Sequence, residues 1–267
     1  MSQYRIEAGT GQHIGDREEQ QDRVALFAAP KAPGYMMAVV ADGMGGLSGG
    51  ALAAEQVVRT AQQNFERFSP LTDDVETMLQ TIAQEADTVI KLSAISSEKK
   101  PHSTITLLVI TPEHSAIWAH AGDSRLYAFD GPNCVKRTTD HTYREQLKEE
   151  NRRDERLEQD PGLAGLLVSV LGSTNPFKLS IGRRDGLKAG DAFLLCSDGL
   201  WQYFKEAEMG AAIAMNPARK ACEMLINKAR ERAAGSKADN CTLAVVKLVK
   251  PEKEVKDYTV KKMRRAI

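Results

Sequence analysis

AVVADGMGG (residues 38–46) and FLLCSDGLW (residues 193–201) share one design: an apolar, strand-like run that stops at an aspartate followed by glycine. The two runs place Asp42 and Asp198 at strand ends. The same placement recurs along the chain. Asp239, with Asn240, stands just before CTLAVVKLV (241–249), Asp22 just before VALFAA (24–29), and Asp123 just after IWAHAG (117–122). Five carboxylates therefore sit where apolar strands begin or end. Strands packed together would gather them in one place.

Working outward, strands are expected over 4–8, 24–28, 36–41, 104–110, 116–121, 126–129, 192–196 and 242–249, each rich in β-branched or other apolar residues and bounded by Gly, Pro or Asp. Two helices stand between the third and fourth. One follows Ser48-Gly49-Gly50, with Ala54, Val57, Val58, Ala61, Phe65 and Phe68 on one face. The other starts near Asp73, with Thr72 or Asp73 as N-cap and Val75, Met78, Leu79, Ile82, Ala86, Val89 and Ile90 at helical spacing. A further helix is expected over 217–234. Strands, a helix pair, more strands and another helix are not a strict βαβ alternation. The order favours an α+β fold with antiparallel sheets over a doubly wound parallel sheet. The stretch 143–160, YREQLKEENRRDERLEQD, is charged with little apolar periodicity and reads as a solvated helix or a mobile surface insert.

Composition limits the function. The 267 residues are 42% hydrophobic and 27% charged, enough for a sizeable core in a soluble chain. Lys+Arg and Asp+Glu both total 36, so no overall field favours nucleic acid or an anionic membrane. Neither a signal peptide nor a membrane-spanning run is visible. Cys134, Cys196, Cys222 and Cys241 are scattered and form no CxxC pair. A reducing, cytoplasmic compartment without disulfides is expected.

Crowded carboxylates repel, and their pKa values rise unless cations neutralise them. Ligands that are all oxygen select hard divalent ions, so magnesium or manganese is favoured over zinc. No HExxH and no Cys/His finger spacing is present to bind zinc. Gly43 would let a backbone carbonyl approach a metal closely. Two ions about 3.5–4 Å apart can share a water that attacks phosphorus in line. Asp-Gly is also an ordinary turn dipeptide, and Asp130-Gly131 and Asp185-Gly186 are read as hairpins. A nucleotide site at 36–58 is disfavoured: Gly43-x-Gly45-x-x-Ser48 breaks GxGxxG, and no GK[ST] follows.

Taken together, the motifs resemble one family, the metal-dependent Ser/Thr protein phosphatases of type 2C. They run in the family's order from Gly11 to Val249: RxxxxD at Arg17 to Asp22, DGMGG at 42–46, GDSRLY at 122–127, TTDHT at 138–142, SDGLW at 197–201, and Asp239-Asn240. Met44, where animal relatives usually carry histidine, matches the bacterial branch. The resemblance implies two antiparallel sheets packed face to face and flanked by helices on both outer sides (αββα), in a single domain over 1–249. That domain would carry a charged flap-like insert near 143–170 and a basic tail over 250–267.

The resemblance also implies roles. Asp42, Asp198 and Asp239 would hold a first ion, and Asp42 with the Gly43 carbonyl a second. Asp123 would bind a third, weaker ion together with Asp198, and Asp22 would support the cluster through water. Arg17 would grip the phosphoryl oxygens, and Asn240 would position Asp239 or a water. The charged stretch after His141 would guide a protein substrate. The expected partners are phosphoproteins made by a Ser/Thr kinase, acted on by a monomer, with no nucleic acid and no membrane.

Two departures stand out. The family's Asn-Glu-Asp is here Gln20-Gln21-Asp22, so a neutral amide replaces a carboxylate beside the second metal. With Met44 in place of histidine, no obvious side chain protonates the leaving group; metal-bound water is the expected donor, ahead of His120 and His141, which as strand and loop histidines read first as structural. Two other readings compete: a phosphatase-like module that binds phosphoproteins without turning them over, and a phosphatase of small phosphate esters. Preference for a phosphopeptide over free esters separates the last from the first reading.

Overall fold

A computed structural model describes residues 4–46, 49–95, 100–235 and 237–251. Ser48 and the KKMRR tail at 261–265 lie outside the described residues. The chain runs β1 (Arg5–His13), β2 (Arg23–Ala28), β3 (Met36–Ala41), β4 (Gly43–Met44), α1 (Gly49–Arg67), α2 (Val75–Ile95), β5 (His102–Ser103) and β6 (Ile105–Ile110). It continues through β7 (Ala116–Ala121), β8 (Arg125–Asp130), β9 (Asn133–Arg137), α3 (Tyr143–Glu149), α4 (Arg156–Gln159), β10 (Ser180–Arg184) and β11 (Asp191–Cys196). Last come α5 (Asp198–Trp201), α6 (Glu206–Met215), α7 (Ala218–Ala233) and β12 (Cys241–Val249).

Two five-stranded sheets form, ordered β1-β12-β11-β8-β9 and β10-β7-β6-β3-β2, with every pair antiparallel. Strands β6, β7 and β11 are buried along their whole length. That explains their nearly continuous apolar runs, each broken by a single polar residue (Thr106, His120 and Asp191), because both faces are covered. Val40, Leu108 and Trp118 of one sheet meet Leu126, Phe193 and Val246 of the other in the central layer. On one outer face Val57, Phe65, Leu79 and Ile82 of α1 and α2 pack on Val39, Leu107 and Ala119. On the other, Met209, Ile213, Cys222 and Leu225 of α6 and α7 pack on Tyr127, Leu194 and Val245. The four layers are therefore helix, sheet, sheet, helix, as expected.

Details differ from the sequence reading. Asp74, not Thr72 or Asp73, caps α2: its carboxylate accepts from the Thr77 amide at 2.9 Å. Asp73 instead accepts from the Ser69 amide at 2.8 Å and closes the turn between the helices. Asp130-Gly131 does open a hairpin, between β8 and β9. Asp185-Gly186 does not, because β10 and β11 belong to different sheets. The charged stretch forms two short helices, α3 and α4, with four ion pairs along and beside it: Glu145–Lys148, Glu149–Lys178, Glu150–Arg152 and Asp154–Arg156. Among the described residues no helix is long and apolar enough to cross a membrane.

Candidate active site

Strand register brings the aspartates to one end of the sandwich. Arg23 of β2 pairs with Ala41 of β3, so the preceding Asp22 and the following Asp42 share that end. Cys196 of β11 pairs with both Leu243 of β12 and Arg125 of β8, which brings Asp198, Asp239 and Asp123 to the same end of the second sheet. One cavity of about 780 Å³ opens there. Asp42, Asp123, Asp198 and Asp239 line it, with Gly43, Arg17, Gln21 and Asn240.

Two glycines make this convergence sterically feasible. A Cβ on Gly43 would lie 2.0 Å from the Gly50 carbonyl oxygen, and one on Gly199 would lie 1.9 Å from that of Asn240. Only hydrogen at these positions lets the start of α1 and the short α5 close against their neighbours. The backbone of Asp42 is held from the facing strand. Its amide donates to the Thr104 hydroxyl at 2.9 Å, and its carbonyl accepts from the Thr104 amide at 2.8 Å. Asp22 sits behind the cavity wall, 1% exposed, and accepts from the Ser197 hydroxyl at 2.7 Å.

Asn240 has a structural task beside its place next to Asp239. Its carbonyl accepts from the Gln21 amide at 2.7 Å, and its NH₂ donates to the carbonyls of Ile14 at 2.7 Å and Glu19 at 3.1 Å. With these bonds it ties the loop bearing Arg17 and Gln21 to the start of β12, while its backbone amide donates to the Asp239 carboxylate at 2.8 Å. The Arg17 guanidinium donates to the Asp239 carboxylate at 2.6 Å at the cavity mouth.

Asp123 is framed by a second network. The Trp201 indole donates to the Asp123 carbonyl at 3.0 Å. The Arg125 guanidinium lies 3.4 Å from the centre of that indole and makes paired bonds to Asp140 at 2.7 and 2.6 Å. His141 exchanges backbone and ring bonds with Gly122. His120 and His141 stack at 4.6 Å, both nearly buried, and neither lines the cavity. His120 Nε2 is engaged by the Thr139 carbonyl and His141 Nε2 by the Ser180 hydroxyl. Burial lowers both imidazole pKa values, that of His141 to about 4. These histidines brace the segment after Gly122 from behind, with their ring nitrogens Nε2 engaged by protein partners.

Burial, then mutual repulsion, raises the carboxyl pKa values. Asp22 and Asp198 rise to about 6 and Asp123 to about 7, while Asp42 is pushed well above its ordinary value. Seven acidic side chains line the cavity (Asp16, Glu18, Glu19, Asp42, Asp123, Asp198 and Asp239) against the basic Arg17 and Lys237. A phosphate dianion is repelled by such a lining unless cations enter with it. The donors are oxygens throughout, which fits a hard divalent ion. Among the described residues no three acidic, imidazole or thiol side chains close on a single point; Asp239 is turned toward Arg17 instead.

Gln21 donates through its amide to Glu19 at 3.2 Å and to the Gly46 carbonyl at 3.3 Å. A glutamate there would face both acceptors unless a cation lay between them. Gln21→Glu is therefore expected to tighten Mn²⁺ binding on the order of tenfold, by calorimetry, and to lower the melting temperature in chelator. Unchanged affinity would show that residue 21 does not reach the ion.

Some contributors left little trace in the sequence. Thr104 and Ser197 are polar residues flanking largely apolar strands, and that interruption was the available signal. Trp201 read as part of a motif, with no hint of its bond to Asp123.

An acid-lined cavity at the end of a helix-flanked antiparallel sandwich matches a family of hydrolases. The family described as protein phosphatase 2C matches residues 9–217, and the chain belongs to that family. It is 28% identical over 197 residues to the serine/threonine phosphatase Stp of Listeria innocua, covering 72% of this chain and 77% of that one. The Streptococcus agalactiae serine/threonine phosphatase superimposes with a TM-score of 0.78 at 26% identity, over 91% of this chain and 99% of that one. The catalytic domain of the phosphatase PstP, solved with two manganese ions, superimposes with a TM-score of 0.73 at 22% identity, over 91% and 98%.

Proposed function

We propose that this chain is a metal-dependent protein phosphatase that hydrolyses phosphoserine and phosphothreonine on proteins. The observation that carries this reading is the gathering of Asp42, Asp123, Asp198 and Asp239 with Arg17 in one cavity. Asp42, Asp198 and Asp239 would hold one ion, Asp42 and the Gly43 carbonyl a second, and Asp123 with Asp198 a weaker third. PstP supports a pair of Mn²⁺ ions in this fold. Bound ions would supply charge neutralisation for the phosphoryl group and a nucleophile derived from water.

The chain's own residues do the rest. Arg17, 59% exposed at the mouth, presents a planar fork of donors that suits phosphoryl oxygens, and it would exchange Asp239 for the substrate. Asn240 keeps that arginine's loop in place. Asp22 and Ser197 brace the floor from behind. Among the described residues no histidine lines the cavity, which disfavours an imidazole as the proton donor to the leaving group.

Relatives named as a serine/threonine phosphatase and as a protein phosphatase favour turnover over mere phosphoprotein binding. Phosphate release from a phosphothreonine peptide, with Mn²⁺ and with chelator, tests the reading beside Asp198→Ala protein. Release that needs Mn²⁺ and vanishes in the variant is expected. No release at any Mn²⁺ or Mg²⁺ concentration from folded protein would return the binding-module reading.

A further inference from the structure

The insert between β9 and β10 carries charge along most of its length, and its four ion pairs neutralise much of that charge internally. Tyr143 adds a hydroxyl bond to Asp154 at 2.5 Å. Among the described residues, none of the insert's charged side chains lines the catalytic cavity. The insert reaches the cavity only through Gly165 and Leu167.

Leu167 is held there by backbone bonds. The Tyr143 amide donates to the Leu166 carbonyl at 2.8 Å, and the Val168 amide to the His141 carbonyl at 2.9 Å, with Thr142 and Leu167 as antiparallel bridge partners. The His141 amide donates in turn to the Gly122 carbonyl at 2.9 Å, one residue from Asp123. In an extended segment side chains alternate. Leu166 and Val168 are 54% and 40% exposed, while Leu167 between them is half-buried against the cavity. Met44 lines the same cavity. At about 780 Å³ the space far exceeds a phosphoryl group and falls in the range that encloses a larger ligand. The space leaves room for a neighbouring residue of the substrate beside the phosphorylated one.

We propose that Leu167, together with Met44, determines substrate selection by forming an apolar wall for an uncharged apolar side chain next to the phosphorylated residue. The inference rests on the phosphatase reading above. The preferred substrates are phosphopeptides with leucine, valine, methionine or phenylalanine beside the phosphothreonine or phosphoserine. Met44 supplies an unbranched side chain that adapts to different occupants. The charged helices of the insert act as the frame that holds Leu167.

The test uses two phosphothreonine peptides that differ only in the flanking residues, leucine in one and the near-isosteric asparagine in the other. Wild-type protein with Mn²⁺ is expected to favour the leucine peptide about tenfold in kcat/KM, the scale of a small hydrophobic contact, chiefly through KM. Leu167→Asn should bring the ratio within about twofold, and Leu167→Met should keep most of it. Charge reversal at Glu145 and Glu149 should leave the ratio alone. Melting curves confirm that each variant is folded. Equal kcat/KM for the two peptides on wild-type protein would overturn the proposal, as would a ratio that follows the charge reversals and ignores Leu167. Release from neither peptide would instead sink the phosphatase reading itself, and this inference with it.

Discussion

Asp198→Asn is expected to lower Mn²⁺-dependent phosphate release by at least about 10³-fold, and yet to raise the melting temperature of the chelator-treated protein. The two effects have one cause. Asp198 stands beside Asp239, and burial with that repulsion raises its pKa to about 6. Its negative charge is useful only when a cation shares the cavity. Without one, an uncharged amide of the same shape removes the repulsion. A variant that kept more than a tenth of the activity, or melted lower in chelator than wild type, would contradict this account.

The same balance sets a pH dependence for the metal-free protein. Asp22 and Asp198 move from 3.8 to about 6 on folding, and Asp123 to about 7. Below pH 3.8 these carboxyls are protonated in both states. Between 3.8 and about 7 the unfolded chain releases protons that the folded chain retains, so stability falls as pH rises. Chelated protein should therefore melt on the order of 5 °C lower at pH 7.5 than at pH 5.5. Saturating Mn²⁺ should cancel or reverse the slope. A chelated protein whose melting temperature rose over that interval would show that the cluster does not govern it.

Arg17→Ala is expected to lower kcat/KM on a phosphothreonine peptide by about 10²–10³-fold, with Arg17→Lys recovering only part. The guanidinium now holds Asp239 at 2.6 Å, so its removal releases a carboxylate that a cation can take up. Mn²⁺ affinity should stay level or tighten while turnover falls. Weaker Mn²⁺ binding in Arg17→Ala would show instead that the arginine organises the metal ligands rather than the phosphoryl group.

The buried strands were legible because their physics is local. Runs such as Ile105–Ile110 and Ala116–Ala121 are buried along their whole length and apolar at every position but one, Thr106 and His120 respectively. The edge strands β9 and β10 give no such signal. Asn133–Arg137 is mostly exposed and polar, and Ser180–Arg184 contains Gly182, where a Cβ would lie 2.5 Å from the Trp118 ring. Helix α6 was missed because Gly210 interrupts it, and that glycine is where the Pro132 carbonyl packs. The aspartates of the site were legible from their places at strand ends, but their supports were not. The partners of Asn240 lie up to 226 residues away in sequence, and no local pattern announces a contact of that range.

That separation bears on how the protein is made. The first strand, β1, pairs only with the last, β12, which also separates it from β11. A chain emerging from the ribosome therefore exposes an unpaired edge until its final strand arrives, and Arg17 has no Asp239 to meet. Catalytic competence is gained once β12 has emerged rather than gradually, so chains stopped before it would be inert toward phosphoproteins.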